Sequence, residues 1–299
     1  MILIREFKPD KNKGAQFQKA LLVTVIGNIF LATLKGVAAY YSDSAAIYSD
    51  AINSVSDVVY SLFLIIGLSI SKKPPDSDHP QGHERFEPLM GLIITISMTL
   101  AGAEALRSSI SRFISDSHEI TLGFSIIALL ISALTKTGMF FIIRNIAHKI
   151  LSPGLSAAAK DNLSDILTSL AALIGILGTR YIHPILDPIA GVLVSLWIFK
   201  SAYEVGRENL DFLTGKSPNQ ELKDDILQAA KSVAGVEGVH QMVTEYVGPK
   251  IVVDIHIDVD QNLSLIEAHH ISDQVTAAVQ AIPEVDRAYI HPEPIELQK

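Results

Sequence analysis

The sequence predicts an α-helical membrane protein, a six-helix transmembrane bundle followed by a small cytoplasmic α+β domain. Three observations lead to this fold class. Six apolar segments are long enough to cross a bilayer, basic residues recur in alternate connections between them, and the composition becomes that of a soluble domain after about Asn209. We therefore expect a transmembrane domain over residues 1–208 and a cytoplasmic domain over residues 209–299.

The composition restricts both the class of protein and the chemistry of any metal site. Of 299 residues, 48% are hydrophobic and 19% are charged, which is too apolar for a soluble protein of this length. The chain has no cysteine, so any metal must be held by carboxylate, imidazole, amide or water. The net charge of -8 gives no reason to expect nucleic acid as a partner.

Each apolar segment spans about 20 residues or more, the length that a hydrocarbon core of about 30 Å requires. The predicted spans are Gln18 to Tyr41, Ala45 to Ser71, Glu87 to Phe113, Leu122 to Ile143, Ala157 to Tyr181 and Ile185 to Tyr203. Lysine and arginine lie before the first span, in the second and fourth connections and after the sixth span. Because basic connections stay in the cytoplasm, we expect both termini there, in a multi-pass protein of the inner or plasma membrane.

The last third of the chain alternates between helical and strand patterns. A helix that begins near Ser217 is followed by alternating apolar residues up to Val247, a turn at Gly248 and Pro249, and a strand that ends at Val259. A second helix and a final strand complete the order αββαβ. This order predicts a ferredoxin-like sheet with helices on one face.

Two pairs of polar residues stand four positions apart inside predicted spans, Asn53 with Asp57 and Asp161 with Asp165. Acidic residues at membrane depth are costly, so they face a cavity, pair with a cation or mark an ion path. The spacing puts each pair on one face of its helix, and two opposed faces form a four-cornered oxygen cage. We expect this cage to hold a hard divalent cation. For Asn53, a polar contact between helices is the alternative.

The six spans, the polar pairs in the second and fifth of them and the αββαβ tail resemble the cation diffusion facilitator family, in particular its YiiP-type metal transporters. The resemblance covers nearly the whole chain and implies that Asn53, Asp57, Asp161 and Asp165 form the transport site. Zinc-selective members carry a histidine there, whereas one amide and three carboxylates are similar to the manganese-exporting branch. All-oxygen sites also suit manganese better than zinc. We expect manganese(II) as the cargo, with iron(II) and zinc(II) as alternatives.

The loop after the second span contains further candidate metal ligands. Asp76, His79 and His83 match a second metal site of YiiP-type transporters, and a solvated polar loop is the alternative. The resemblance also implies that Arg85 locks against Asp211, just after the sixth span.

Four histidines and an acid in the tail match the family's cytoplasmic metal cluster at the dimer interface. They are His240, His256, His269, His291 and Glu293, the last of which stands where zinc transporters have an aspartate. Ordinary surface positions are the alternative for these histidines. Together they favour a metal-binding and dimerisation role for the tail.

The resemblance implies a homodimeric exporter that exchanges a divalent cation for protons by alternating access. Its partners are then metal ions, protons and the lipid bilayer, and no cofactor is expected beyond transported or regulatory metal ions. An enzyme is disfavoured because no nucleophile and base pairing, phosphate loop or metal-hydrolase motif occurs. A channel would need a continuous polar lining, and only the second and fifth spans carry polar pairs. A metal-sensing scaffold that does not transport is a further alternative.

Overall fold

The computed structural model describes residues 11–41, 45–114, 124–183 and 185–295. It divides into two compact units, Met1–Asn209 and Leu210–Lys299, and each is described by itself. The described residues of the first unit form six long helices, and the last of them ends within the second unit. They are α1 (Lys11–Tyr41), α2 (Ala45–Ser71), α3 (Phe86–Ile114), α4 (Phe124–Ile150), α5 (Pro153–Tyr181) and α6 (Leu186–Leu213).

The six predicted spans correspond to these six helices, which confirms the helical fold class. Among the described residues, four stretches are long and apolar enough to cross a membrane: Gly14–Ala38, Phe86–Ile114, Ile126–Ile150 and Pro188–Leu213. The apolar stretch of α2 is shorter, Asp57–Ser71. In α5, Lys160, Asp161 and Asp165 lower the hydropathy of the first half. Both α2 and α5 carry polar pairs that the sequence predicts.

Apolar side chains cover both the inside and the outside of the first unit. Leu68, Ile143 and Leu155 are fully buried in its core. On the outer surface, Leu134 is 76% exposed and Ile174 is 62% exposed. Such outward apolar surface is typical of a helix that faces lipid.

The start of α5 is fixed by a residue of α3. The hydroxyl of Ser152 caps α5 by accepting a hydrogen bond from the first turn. The same hydroxyl donates to the carboxylate of Glu87, and the backbone N–H of Gly154 donates to that carboxylate at 3.3 Å. Because Glu87 is buried, the first turn of α3 sets the position of the helix that carries Asp161 and Asp165.

Glycines bring α3 and α6 close together. A Cβ placed on Gly91 would lie 2.1 Å from Oδ1 of Asn209, and one on Gly206 would lie 2.9 Å from Cγ2 of Thr95. Small residues at a helix interface let the two backbones approach in this way. Four glycines face side chains of the opposite helix: Gly91, Gly102, Gly191 and Gly206.

The second unit has the predicted order αββαβ. Its elements are α7 (Gln220–Lys231), β1 (Gly238–Val247), β2 (Lys250–Val259), α8 (Leu265–Gln280) and β3 (Val285–Pro294). The strands lie in the order β1-β2-β3, with β1 antiparallel and β3 parallel to β2. Gly248, at φ 66°, turns the chain between β1 and β2.

The central strand β2 separates two different faces of the sheet. Ile251, Val253 and Ile255 are fully buried in the core that also includes residues of α7 and α8. Because successive side chains of a strand point to opposite faces, His256 and Asp258 lie on the face away from the helices.

Candidate metal centre

Carboxylates of α2 and α5 meet inside the first unit. Asp57 is on α2, and Asp161 and Asp165 are one turn apart on α5. The side chains of Asp57 and Asp165 are 19% and 29% exposed, and all three carboxylates are close enough to interact electrostatically. Asn53 is in α2, but its side chain lies outside the part of the chain that the structure describes. The fourth corner of the predicted cage therefore stays a prediction.

A lysine of α4 lies between these carboxylates. The Nζ of Lys136 is 3.0 Å from Oδ2 of Asp57 and 2.7 Å from Oδ2 of Asp165, and its side chain is 4% exposed. The sequence predictions named acidic, amide and imidazole ligands and did not include this residue. The available signal was a lysine in the middle of an apolar span, because an ionisable residue at membrane depth is by default a candidate functional residue.

Helix α1 supports the backbone of α2 at the same level. The side-chain amide of Asn28 donates to Oγ of Ser61 at 2.7 Å and to the backbone carbonyl of Asp57 at 3.4 Å. Lys35 of α1 is also buried and acts electrostatically on Asp57. These contacts hold α2 in register beside α1 at the turn that carries Asp57.

The predicted loop ligands form a compact group. Potential ligand atoms of Asp76, His79 and His83 all lie within 4.8 Å of one another. Nδ1 of His79 is 3.6 Å from Asp76, and Nε2 of His83 is 3.4 Å from it. His83 is buried, and its Nδ1 has no hydrogen-bond partner among the described residues. One carboxylate and two imidazoles at this separation suit a divalent transition metal.

The backbone prepares Asp76 to act as an anionic ligand. Backbone N–H groups of His79 and Asp78 donate to its Oδ1 at 2.7 and 3.1 Å. The hydrogen bond from His79 is the main cause that lowers the pKa of Asp76 below its usual value. The ring of Phe86, in the first turn of α3, packs against both histidines of the loop.

The predicted lock between Arg85 and Asp211 stays a prediction. Arg85 belongs to the first unit and Asp211 to the second. Within the second unit, the Nζ of Lys216 donates to Oδ2 of Asp211 at 2.5 Å.

Three tail residues converge on the sheet face away from the helices. Potential ligand atoms of His240, His256 and Glu293 lie within 4.8 Å of one another, each residue coming from a different strand. Nδ1 of His256 is 2.6 Å from Oε1 of Glu293, and Nε2 of His240 is 3.5 Å from Oε2. The hydrogen bond with His256 is the main cause that lowers the pKa of Glu293, which favours its ionised form.

Strand register explains how this cluster forms. On β3, His291 pairs with His256 and Glu293 pairs with Asp258. On β1, the register shifts between Val239 and Gln241, which leaves His240 as the extra residue of a bulge. A bulge re-aims a side chain, and no periodic pattern in the sequence marks its position.

The tail cluster differs in membership from the predicted one. Asp258, which was not among the predicted ligands, has its Oδ1 2.7 Å from Nδ1 of His240. Nε2 of His291 is 3.8 Å from Glu293, at the margin of the cluster. His269 lies on α8, where its Nε2 is 3.7 Å from Asp273 of the same helix. The described residues do not place it in the cluster, so its role as a ligand stays a prediction.

The helical bundle and the acidic centre define a class of protein, integral membrane proteins that can hold cations within the bundle. Two family models match the chain: the cation efflux transmembrane domain over residues 21–214, and the cytoplasmic domain of cation efflux proteins over residues 218–295. The chain belongs to the cation efflux family, also called cation diffusion facilitators, as the sequence resemblance predicted. It is therefore a multi-pass membrane transporter that exports divalent metal cations, and not an enzyme.

Relatives match over nearly the whole length of the chain. The uncharacterized transporter MJ0449 of Methanocaldococcus jannaschii is 34% identical over 281 residues, 92% of this chain and 98% of that protein. Manganese efflux system protein MneS of Bacillus subtilis is 28% identical over 286 residues, 93% of this chain and 96% of that protein. Magnetosome protein MamM of Magnetospirillum gryphiswaldense is 29% identical over 262 residues, 83% of this chain and 79% of that protein.

Proposed function

We propose that this protein exports manganese(II) in exchange for protons, as a homodimer that alternates between inward-open and outward-open forms. The observation that carries the choice of metal is the donor set at the acidic centre. Among the described residues, Asp57, Asp161 and Asp165 supply carboxylate oxygen, and the nitrogen of Lys136 that contacts Asp57 and Asp165 belongs to an ammonium, which cannot ligate a metal. Oxygen donors suit manganese(II), while imidazole favours zinc(II). MneS, a relative over nearly the full chain, is named for manganese efflux.

Proton exchange follows from the use of the same carboxylates by two kinds of cation. A carboxylate must be ionised to bind metal, so metal binding releases protons and protonation releases metal. When the centre opens to the outside, protons that enter along their gradient release the cargo. Both halves of the cycle then use Asp57, Asp161 and Asp165.

The loop and tail clusters are proposed to hold metal on the cytoplasmic side. The loop site consists of Asp76, His79 and His83, and the tail site of His240, His256 and Glu293. Metal in the tail would bring two αββαβ domains together in the dimer and favour transport. If the dimer is independent of metal and transport is unchanged after His240→Ala and His256→Ala, the tail site has no regulatory role.

The experiment is metal flux into proteoliposomes under an imposed pH gradient. Manganese(II), iron(II), zinc(II), cobalt(II) and cadmium(II) are compared, with an Asp57→Ala and Asp161→Ala double variant as the inactive reference. Glu104→Ala serves as a matched control, since that carboxylate is exposed on α3 and pairs with Arg107 of its own helix. We expect flux dominated by manganese that is lost in the double variant and kept in Glu104→Ala.

Two other outcomes would overturn parts of the proposal. Flux dominated by zinc would reject the argument from oxygen donors and leave a zinc exporter. Manganese flux that persists without a pH gradient and carries no protons would reject the exchange mechanism.

A further inference from the structure

We propose that Lys136 is an internal cation that occupies the cargo position of the acidic centre when no metal is bound, so that a divalent ion must displace it. This inference rests on the proposed function, because it assumes that Asp57 and Asp165 bind the cargo. It adds to that function a residue, Lys136, that determines the affinity and the cation selectivity of the acidic centre.

The distances make the ammonium and a metal ion mutually exclusive. Nζ of Lys136 is 2.7 Å from Asp165 and 3.0 Å from Asp57, and it contacts Oδ2 of both. Divalent cations bind carboxylate oxygens at about 2.0–2.6 Å. A metal held by these two oxygens would therefore sit against the ammonium, and two cations repel strongly in a site shielded from water.

The side chain is able to leave the carboxylates without moving α4. Lysine carries a compact charge on a flexible four-carbon stem, whereas the backbone on both sides of Lys136 is held in regular helix. The hydroxyls of Thr135 and Thr137 donate to backbone carbonyls one turn earlier in α4. Displacement is thus a rotation of one side chain.

Two consequences follow for transport. In the empty protein, Lys136 balances charge on Asp57 and Asp165 inside the bundle, where unbalanced charge is costly. A monovalent cation has no charge advantage over the ammonium and displaces it poorly, while a divalent cation has twice the charge. Lys136 therefore selects for divalent cargo and weakens the apparent affinity for it.

The test is equilibrium binding of manganese(II) to the purified full-length protein in detergent, followed by the electron paramagnetic resonance signal of free manganese. Asp161→Asn serves as the reference for binding at sites other than the acidic centre. Lys136→Gln and Lys136→Met remove the competing charge, and we expect the centre to bind manganese about tenfold more tightly or better in both, because occupation by the ammonium lowers the apparent affinity. Lys160→Gln is the matched control, since it removes a lysine 3.1 Å from Glu208 and is expected to leave binding unchanged.

The outcomes separate this inference from the proposed function. If the centre binds manganese and the folded Lys136 variants bind it equally or less tightly than the parent, the inference is wrong and the cargo site stands. If the parent and Asp161→Asn bind manganese equally, the cargo site itself is wrong and both proposals fail.

A second measurement on the unchanged protein applies if both Lys136 variants fail to fold. Reductive methylation of lysines, read by mass spectrometry, is compared with and without saturating manganese. We expect Lys136 to react faster with metal present while Lys160 does not change. An unchanged rate at Lys136 would overturn the inference.

Discussion

Glu87 of α3 accepts a hydrogen bond from the hydroxyl of Ser152, the residue that caps α5. The N–H of Gly154 donates to the same carboxylate. One buried acid therefore accepts hydrogen bonds from two groups at the beginning of α5, the helix that carries Asp161 and Asp165. Phe86, directly before Glu87, packs on the histidines of the loop cluster. The first turn of α3 therefore contacts both the loop cluster and the helix of the acidic centre.

Replacing Glu87 should weaken this connection. We expect Glu87→Ala to lower the free energy of unfolding by about 2 kcal/mol, because Glu87 accepts two hydrogen bonds and a typical intramolecular hydrogen bond contributes about 0.5–1.5 kcal/mol. Glu87→Gln keeps an oxygen acceptor, so its free energy of unfolding should fall by less. Thermal unfolding of the detergent-solubilised protein measures both. Glu104→Ala is the control on the same helix, where an exposed pair with Arg107 contributes at most about 1 kcal/mol. Equal losses in Glu87→Ala and Glu104→Ala would contradict the prediction.

Sequence periodicity predicted the fold because it reports which face of an element is apolar. The four-residue spacing of Asp161 and Asp165 predicted that they share one face of α5. The alternation of apolar and polar residues in β2 predicted which of its side chains are buried. Periodicity contains no information on which helices are neighbours, so the contact of Lys136 with two carboxylates could not be derived from it. The bulge at His240 was missed for a related reason, since an inserted residue breaks the alternation that the prediction uses.

The close contact of α3 with α6 should not tolerate a side chain. Gly91→Ala would place a Cβ 2.1 Å from Oδ1 of Asn209, and Asn209 is buried with its amide donating to the carbonyl of Val205. We expect a loss of about 1–3 kcal/mol, as for other overpacked interfaces. Gly138→Ala, where no atom lies within 4 Å of the added Cβ, should be neutral or stabilising by up to about 1 kcal/mol through helix propensity. Thermal unfolding compares the two, and equal stability would refute the close contact.

Asp258 should contribute to metal binding by the tail although it was not predicted. Its Oδ1 is 2.7 Å from Nδ1 of His240, where it can orient the ring as second-layer carboxylates do for metal-bound histidines. We expect Asp258→Asn to weaken metal binding about 10-fold or more. Titration calorimetry with zinc(II) measures this affinity. The full-length protein carries Asp57→Asn and Asp161→Asn, which remove the acidic centre.

The matched control for Asp258 lies on α8. Asp273 faces His269 at 3.7 Å, so Asp273→Asn should leave the tail affinity unchanged. If it weakens binding as much as Asp258→Asn, then His269 belongs to the tail site after all. An unchanged affinity in Asp258→Asn would show that His240 does not need this partner.

Lys72 should make stability depend on pH. Partial burial of its side chain lowers its pKa to about 8, while the negative charge of Glu87 acts in the opposite direction, and its ammonium lies 3.3 Å from the ring centre of Phe17. An unfolded lysine has a pKa of about 10.4. Between these values the unfolded state binds more protons than the folded one, so stability rises as the pH increases from about 8 to about 10.

The measurement is the unfolding temperature over this pH range. The rise should be absent in Lys72→Met and present in Lys73→Met, which changes the neighbouring lysine. If the parent and Lys72→Met follow the same curve, burial of Lys72 has no effect on stability.

The glycine contacts between α3 and α6 also have a mechanical consequence. At four places a side chain of one helix lies over a glycine of the other. If either helix slid along its axis, those side chains would collide with the neighbouring helix. The two helices α3 and α6 therefore move together as one rigid body. Any motion that opens the acidic centre first to one side of the membrane and then to the other must take place at different helix contacts.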